Sequence, residues 1–235
     1  MKGKQQLHTA NVPTAGDGAI ASARIAALFP MPVAAAEMAD TTGAPRLSPI
    51  EVQQLRDAVP RRRREFAAGR VCARHALAAL GATHDSLDRQ TDGSPRWPAG
   101  FIGSISHTAG LCGAAVSRAG VQLGLGLDME RVAPLEKELL DEICTADERL
   151  WLETLSASEL EPMAMALFSA KEAFYKCQYP LTGLWLDFRN ADLCLLPDGR
   201  VELRGVSADM GGLCFAGSYC IEPDHVLTAF WASKR

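Results

Sequence analysis

The stretch Val121-Gln122-Leu123-Gly124-Leu125-Gly126-Leu127-Asp128-Met129-Glu130 alternates without a break. Val121, Leu123, Leu125, Leu127 and Met129 fall on one face of a strand, and Gln122, Gly124, Gly126, Asp128 and Glu130 on the other. Two carboxylates therefore project from one face, roughly 6–7 Å apart at their backbones. The two glycines before them leave room for something bulky to lie against the strand. Hard divalent cations such as Mg²⁺ take oxygen ligands and keep waters and substrate phosphates in the rest of their shell. A strand carrying Asp-x-Glu, joined by a carboxylate from a helix, meets that need. Taken alone, Asp-x-Glu at a strand end is more often a solvated turn, so the motif gains meaning only from its company.

Phe168-Ser169-Ala170-Lys171-Glu172-Ala173-Phe174-Tyr175-Lys176 supplies the helix. Met163, Leu167, Ala170 and Phe174 recur at helical spacing and make a buried stripe. Glu172 and Lys176 stand four apart on a different face. A carboxylate beside an ammonium suits a metal ligand or base next to a phosphate clamp. The same spacing is also the favoured one for a surface ion pair.

Working outward, 235 residues suffice for one large domain or two modest ones. A net charge of −4 argues against a general nucleic-acid binder. No apolar run reaches the length of a membrane span. Met1 to Gly18 lacks an apolar signal core and reads as a polar arm. Seven cysteines, odd in number and without a CxxC pair, fit reduced thiols in a cytoplasm better than a disulfide framework. No HExxH, Walker A loop, GxGxxG fingerprint or Gly-x-Ser-x-Gly elbow occurs.

The organisation is α+β. Ser48-Pro49-Ile50-Glu51 predicts a capped helix start running to about Ala58. A second helix follows Pro60 to Leu80, with Gly81 as its stop and Phe66, Ala73, Leu77 and Leu80 as its apolar face. Phe101–Ser106 and Leu111–Val116 read as a hairpin. Helices near 135–143 and 146–155 precede the Glu172 helix, and strand runs close the chain. The expected division is an arm over 1–18, an N-terminal lobe over 19–120 and a C-terminal lobe over 121–235. The Asp128 strand then lies at the seam, where ligands tend to bind.

Basic groups gather before that seam. Arg61–Arg64, Arg70 and Arg74 crowd one helix, with Arg63, Arg70 and Arg74 spaced as a stripe. Arginine's planar fork suits phosphate oxygens. Ser106 and His107, in a hydroxyl-rich loop, offer further donors. Three acids with many phosphate-seeking groups favour a magnesium-bound, polyphosphorylated substrate and phosphoryl or phosphodiester transfer. A nucleotide pyrophosphatase or phosphodiesterase and a non-enzymatic basic binding module remain open on these residues alone.

In this order, Arg62 to Arg74 (RRREFAAGRVCAR), Asp92 to Gly110 (DGSPRWPAGFIGSISHTAG), Gly124 to Glu130 (GLGLDME) and Leu167 to Trp185 (LFSAKEAFYKCQYPLTGLW) resemble the 4′-phosphopantetheinyl transferases. The likeness is to the broad-specificity, enterobactin-synthase-associated branch. It implies two pseudo-symmetric lobes of helices packed on antiparallel sheet, with coenzyme A in the cleft between them. It implies transfer of the phosphopantetheine arm to a serine of an apo acyl or peptidyl carrier protein. An active site within one chain makes a monomer the default expectation, and charge, hydropathy and cysteines give a cytoplasmic protein with no nucleic-acid or membrane partner. Asp128, Glu130 and Glu172 match the magnesium acids. Arg62 and Arg70 match residues holding the 3′-phosphate end, with Ser106 and His107 in the same pocket. Arg89 falls where relatives often carry a basic residue near the adenosine, and the resemblance implies that the loop to Asp92 lies along it. Lys171 and Lys176 match the helix lysines, Lys176 at the pyrophosphate. Ser94 and Phe168 stand where some relatives carry Lys and Trp.

Overall fold

The computed structural model describes residues 18–39, 47–55, 58–82, 84, 86–120 and 122–235. The expected arm lies outside them except for Gly18. In the N-terminal half, β1 (Ile20–Ala21), α1 (Ala23–Ala27) and β2 (Ala34–Ala39) precede α2 (Pro49–Gln53) and α3 (Pro60–Ala79). The hairpin β3 (Phe101–Thr108) and β4 (Leu111–Arg118) completes a four-stranded antiparallel sheet in the order β1-β2-β4-β3.

The local chemistry explains the helix ends. Ser48 caps α2 through Glu51 N while the Glu51 carboxylate accepts from Ser48 N, a reciprocal box. Helix α2 stops at Gln53, short of the expected Ala58. Helix α3 begins on Pro60 and is stopped by Gly81 in a left-handed turn, φ +78°. Its buried side chains are mostly small: Ala67, Ala68, Cys72, Ala73 and Ala76 lie beside Phe66, Val71 and Leu77. Leu80 is only half-buried. This small-residue face brings α3 so near the sheet that a Cβ on Gly69 would lie 2.7 Å from Ile105 Cγ2.

The C-terminal half begins with β5 (Gly124–Arg131), then α4 (Lys137–Ile143), α5 (Ala146–Glu153) and the long α6 (Ala157–Thr182). A 3₁₀ turn at Phe188–Asn190 leads to β6 (Ala191–Leu195), β7 (Arg200–Val206), β8 (Leu213–Ile221) and β9 (His225–Lys234). The five strands form one antiparallel sheet, β5-β9-β8-β7-β6. Helix α6 opens with a Ser156–Glu159 capping box and closes at Gly183, φ +66°. Phe174 wedges edge-on between Phe215 and Phe230, centroids 5.2 and 5.5 Å away.

Strand β5 is buried on both faces. Leu125, Leu127 and Met129 meet Ile25, Phe29, Ala35 and Ala115 of the N-terminal half in a core shared by both sheets. The opposite face receives α6. A Cβ on Gly126 would sit 1.8 Å from the Ala173 carbonyl oxygen, and one on Gly124 2.8 Å from that of Cys177. The bulky object that the two glycines admit is thus the backbone of the Glu172 helix, which sets Asp128 beside it. Arg24 of α1 ties the halves together on the far side, pairing with Glu37 at 2.7 Å and with Glu222. Among the described residues no helix is long and apolar enough to cross a membrane.

Candidate active site

Asp128 is 2 % exposed, and its carboxylate is held from both halves, by α6 and by β3. Lys176 Nζ of α6 donates to Oδ1 at 2.6 Å, Ser106 Oγ of β3 to Oδ1 at 2.9 Å, and Ser169 Oγ of α6 to Oδ2 at 2.8 Å. Burial alone would lower the Lys176 ammonium, but Asp128, with Glu172 and Glu130 beyond it, holds its pKa above the ordinary range. Two residues along β5, Glu130 accepts from Thr108 Oγ1 at 3.1 Å. Burial, the Asp128 charge and the Glu172 charge push its carboxyl up to about 7, against the pull of Thr108 and Lys176. Glu172 is raised as well, by burial first and by Asp128, with Lys176 opposing.

These three acids feel one another across β5 and α6, and one ammonium does not neutralise them. Among the described residues they do not stand as a closed three-ligand cluster. Coordination by carboxylates plus substrate oxygens is how Mg²⁺ is ordinarily held, in contrast to an all-protein cage. The shortage of positive charge and the all-oxygen donor set fit that ion.

The basic side is built on α3. Arg62 Nη1 lies 3.0 Å from His107 Nε2, and Glu65 Oε2 lies 3.1 Å from the same nitrogen. Burial lowers the His107 pKa, Glu65 opposes, and Arg62 and Lys176 add to the lowering, leaving the ring below its ordinary range. Arg61 pairs with Glu65 at 2.8 Å. Arg70, 4 % exposed, lies with its guanidinium 4.2 Å from the Phe66 ring centroid, and its Nε has no hydrogen-bond partner. Burial lowers its pKa to about 10; Glu51 resists, while Arg89, Arg74 and Arg62 add to the lowering. A buried guanidinium among three other arginines invites an anion.

Several sequence expectations are redirected. Lys171 does not face the seam: it pairs with Glu148 at 2.8 Å and donates to the Phe188 and Ala191 carbonyls, both at 2.8 Å. All three of its N–H donors are used in the body of the C-terminal half, so it is not available to a cofactor. Ser106 lies on β3, not in a loop, and alternation turns it away from His107 and under Asp128. The Arg63–Arg70–Arg74 stripe is divided, because Arg74 pairs with buried Glu51 at 2.8 Å and Arg63 donates to the Ala58 carbonyl. Asp92 is occupied in its own turn, accepting from Ser94 N and Oγ. Arg89 donates to the Gly93 carbonyl and so braces the same loop. Ser169, Thr108 and Glu65 were not singled out from sequence, although the Ser-x-Ser-x-Thr alternation at 104–108 was there to be read.

Two clefts flank the acids. One, of about 620 Å³, is lined by Arg61, Arg62, His107, Glu130 and Arg131. The other, of about 590 Å³, runs between the 90–97 loop, β3, the start of β5 and the Tyr175–Pro180 side of α6. A smaller apolar pocket beside Glu172 is walled by Phe174, Tyr175, Trp185 and Phe188. Arginines from one half, acids and Lys176 from the other and open grooves beside them define a site for a polyanionic substrate.

The comparisons with known proteins agree with that class. The profile described as 4′-phosphopantetheinyl transferase N-terminal domain matches residues 51–117, and that of the 4′-phosphopantetheinyl transferase superfamily matches residues 124–232. The transferase Npt of Nocardia iowensis is 36 % identical over 192 residues, 81 % of this chain and 82 % of the relative. The transferase Svp of Streptomyces mobaraensis is 44 % identical over 153 residues, 65 % of this chain and 62 % of the relative, so the match spans under two thirds of that protein. A holo-(acyl-carrier-protein) synthase of Bacillus anthracis, solved in complex with CoA (3′,5′-ADP), aligns over 48 % of this chain and 98 % of that one. That alignment has 21 % identity and a TM-score of 0.41. The chain belongs to the 4′-phosphopantetheinyl transferase family.

Proposed function

We propose that this chain moves the phosphopantetheine arm of coenzyme A to a serine of an apo acyl or peptidyl carrier protein, releasing adenosine 3′,5′-bisphosphate, with Mg²⁺ as its metal. The observation that carries the reading is the Lys176–Asp128 contact at 2.6 Å between Glu172, Glu130 and the Arg62–His107 cluster. Arg62, Arg70 and His107 bind the 3′-phosphate end, and the Arg89–Asp92 loop lies along the adenosine. Lys176 donates to the pyrophosphate. Glu172, its carboxyl pKa raised by burial and by Asp128, takes the proton of the carrier serine as general base. The serine oxygen attacks the β-phosphorus, and the phosphoanhydride bond to the leaving bisphosphate breaks. Mg²⁺ held by Asp128, Glu130 and Glu172 would neutralise charge on the pyrophosphate oxygens. Positioning and electrostatics carry most of the rate, as in phosphoryl transfer generally.

The apolar pocket beside Glu172 suits the pantetheine arm. Trp185, 77 % exposed, with Leu181 on the last turn of α6 and Leu184 just beyond it, offers the carrier a docking edge. The free cysteines support a reducing, cytoplasmic setting, and acids and cations drawn from one chain support a monomer.

Intact-mass spectrometry of apo carriers incubated with coenzyme A and Mg²⁺ tests the reading. The carrier gains one phosphopantetheine on its serine, and Glu172→Gln lowers the rate on the order of 10²–10⁴-fold while staying folded. Release of the bisphosphate from coenzyme A without any carrier would instead mark a hydrolase.

A further inference from the structure

The edges of the two sheets meet at β3 and β5, and backbone pairing does not join them. Side-chain hydroxyls do. Ser104 Oγ accepts from Leu127 N at 3.0 Å, Ser106 Oγ from Met129 N at 3.2 Å, and Thr108 Oγ1 from Arg131 N at 3.2 Å, all at one offset of 23 residues. A hydroxyl has one hydrogen to donate and two lone pairs to receive. Ser106 and Thr108 give that hydrogen to the preceding residue's carboxylate, Asp128 at 2.9 Å and Glu130 at 3.1 Å. Ser104 faces the position of Gly126, where no carboxylate exists, and donates instead to the Leu127 carbonyl at the long distance of 3.5 Å. Lys176 fills the remaining acceptor of Ser106 at 3.3 Å.

Each rung therefore does two things. It fixes the register of β5 against the other sheet, and at two of three positions it fixes the direction of an acid. A strand slip of one residue would turn every side chain of β5 to the other face. The constant offset allows no such slip while the rungs hold. We propose that Ser106 and Thr108 are positioning residues for the two strand acids, so that the join between the halves and the aim of the metal ligands are one set of contacts. This rests on the functional reading above, in which Asp128 and Glu130 hold Mg²⁺. Hydroxyls of this kind sit behind the ligands, and their loss typically weakens metal binding 10- to 100-fold.

The experiment measures Mn²⁺ binding to the isolated full chain by calorimetry, with thermal unfolding alongside, in wild type, Thr108→Val, Thr108→Ser and Ser104→Ala. Val keeps the shape of Thr and removes only the hydroxyl. The expected result is a Kd raised 10- to 100-fold in Thr108→Val, recovery in Thr108→Ser, and a lowered Tm with unchanged Kd in Ser104→Ala. An unchanged Kd in Thr108→Val, a Thr108→Ser as weak as Thr108→Val, or an equal loss in Ser104→Ala would overturn the proposal, the last by reducing the ladder to a general fastening. A wild-type chain that binds no Mn²⁺ and transfers the arm without divalent metal would overturn the functional reading itself, independently of the variants.

Discussion

Lys171 and Lys176 lie little more than a turn apart on α6, yet they sit in opposite kinds of surroundings. Lys171 is 2 % exposed, and its three protons go to Glu148 and two carbonyls. Burial pulls its pKa down in spite of Glu148. Lys176 meets Asp128 and Ser106 at the edge of an open cleft, and its pKa is pushed up by acids that outnumber it. Helix α3 repeats the contrast: Arg74 is held by Glu51, while Arg70 points a partnerless Nε among other arginines. A buried cation with every donor matched belongs to the scaffold. One whose surroundings leave charge unbalanced belongs to the site.

Substitution can break that distinction. Lys171→Met leaves the Glu148 carboxylate buried without its cation, and stability should fall by about 3–5 kcal/mol in urea unfolding. The folded fraction should keep its kcat/KM; loss of turnover in a well-folded Lys171→Met chain would erase the contrast. Lys176→Met should do the reverse. Asp128 keeps Ser106 and Ser169 as donors, so the chain stays folded while kcat drops about 10²–10³-fold. The smallest effect belongs to His107. Its folded ring releases its proton below the ordinary 6.5 of the unfolded chain. Between those values the unfolded chain binds more protons, so stability rises with pH towards 6.5 and is lost on acidification. His107→Gln should flatten that part of the curve; an unchanged slope would show that the ring does not supply it.

Much of this architecture was legible. Alternation over 121–130 located β5, Gly81 and the Ser48–Glu51 box located helix ends, and the helix period located the Phe174 stripe. The purpose of Gly124 and Gly126 was readable as space, and the structure names what fills it. Less readable were properties that depend on partners distant in sequence. Nothing near Lys171 in the chain announces Glu148 or the carbonyls at 188 and 191, so its match to a family helix lysine suggested a site role. Ser106 and His107 are adjacent and both polar, so they read as one loop pocket. On a strand, adjacency instead separates them to opposite faces. Arg63 and Arg74 follow helical spacing, but their contacts at Ala58 and Glu51 draw them away from a common stripe.

Among the described residues, β5 pairs along its length only with β9, whose residues are 225–234. Synthesis on the ribosome delivers the acid-bearing strand about a hundred residues before its hydrogen-bonding partner. Domains generally fold as units once their sequence is available. The backbone ladder beneath the carboxylates at 128 and 130 is therefore completed only after translation has reached the ninth strand. A partly made chain would carry the acids on a strand whose β9 edge is still unpaired.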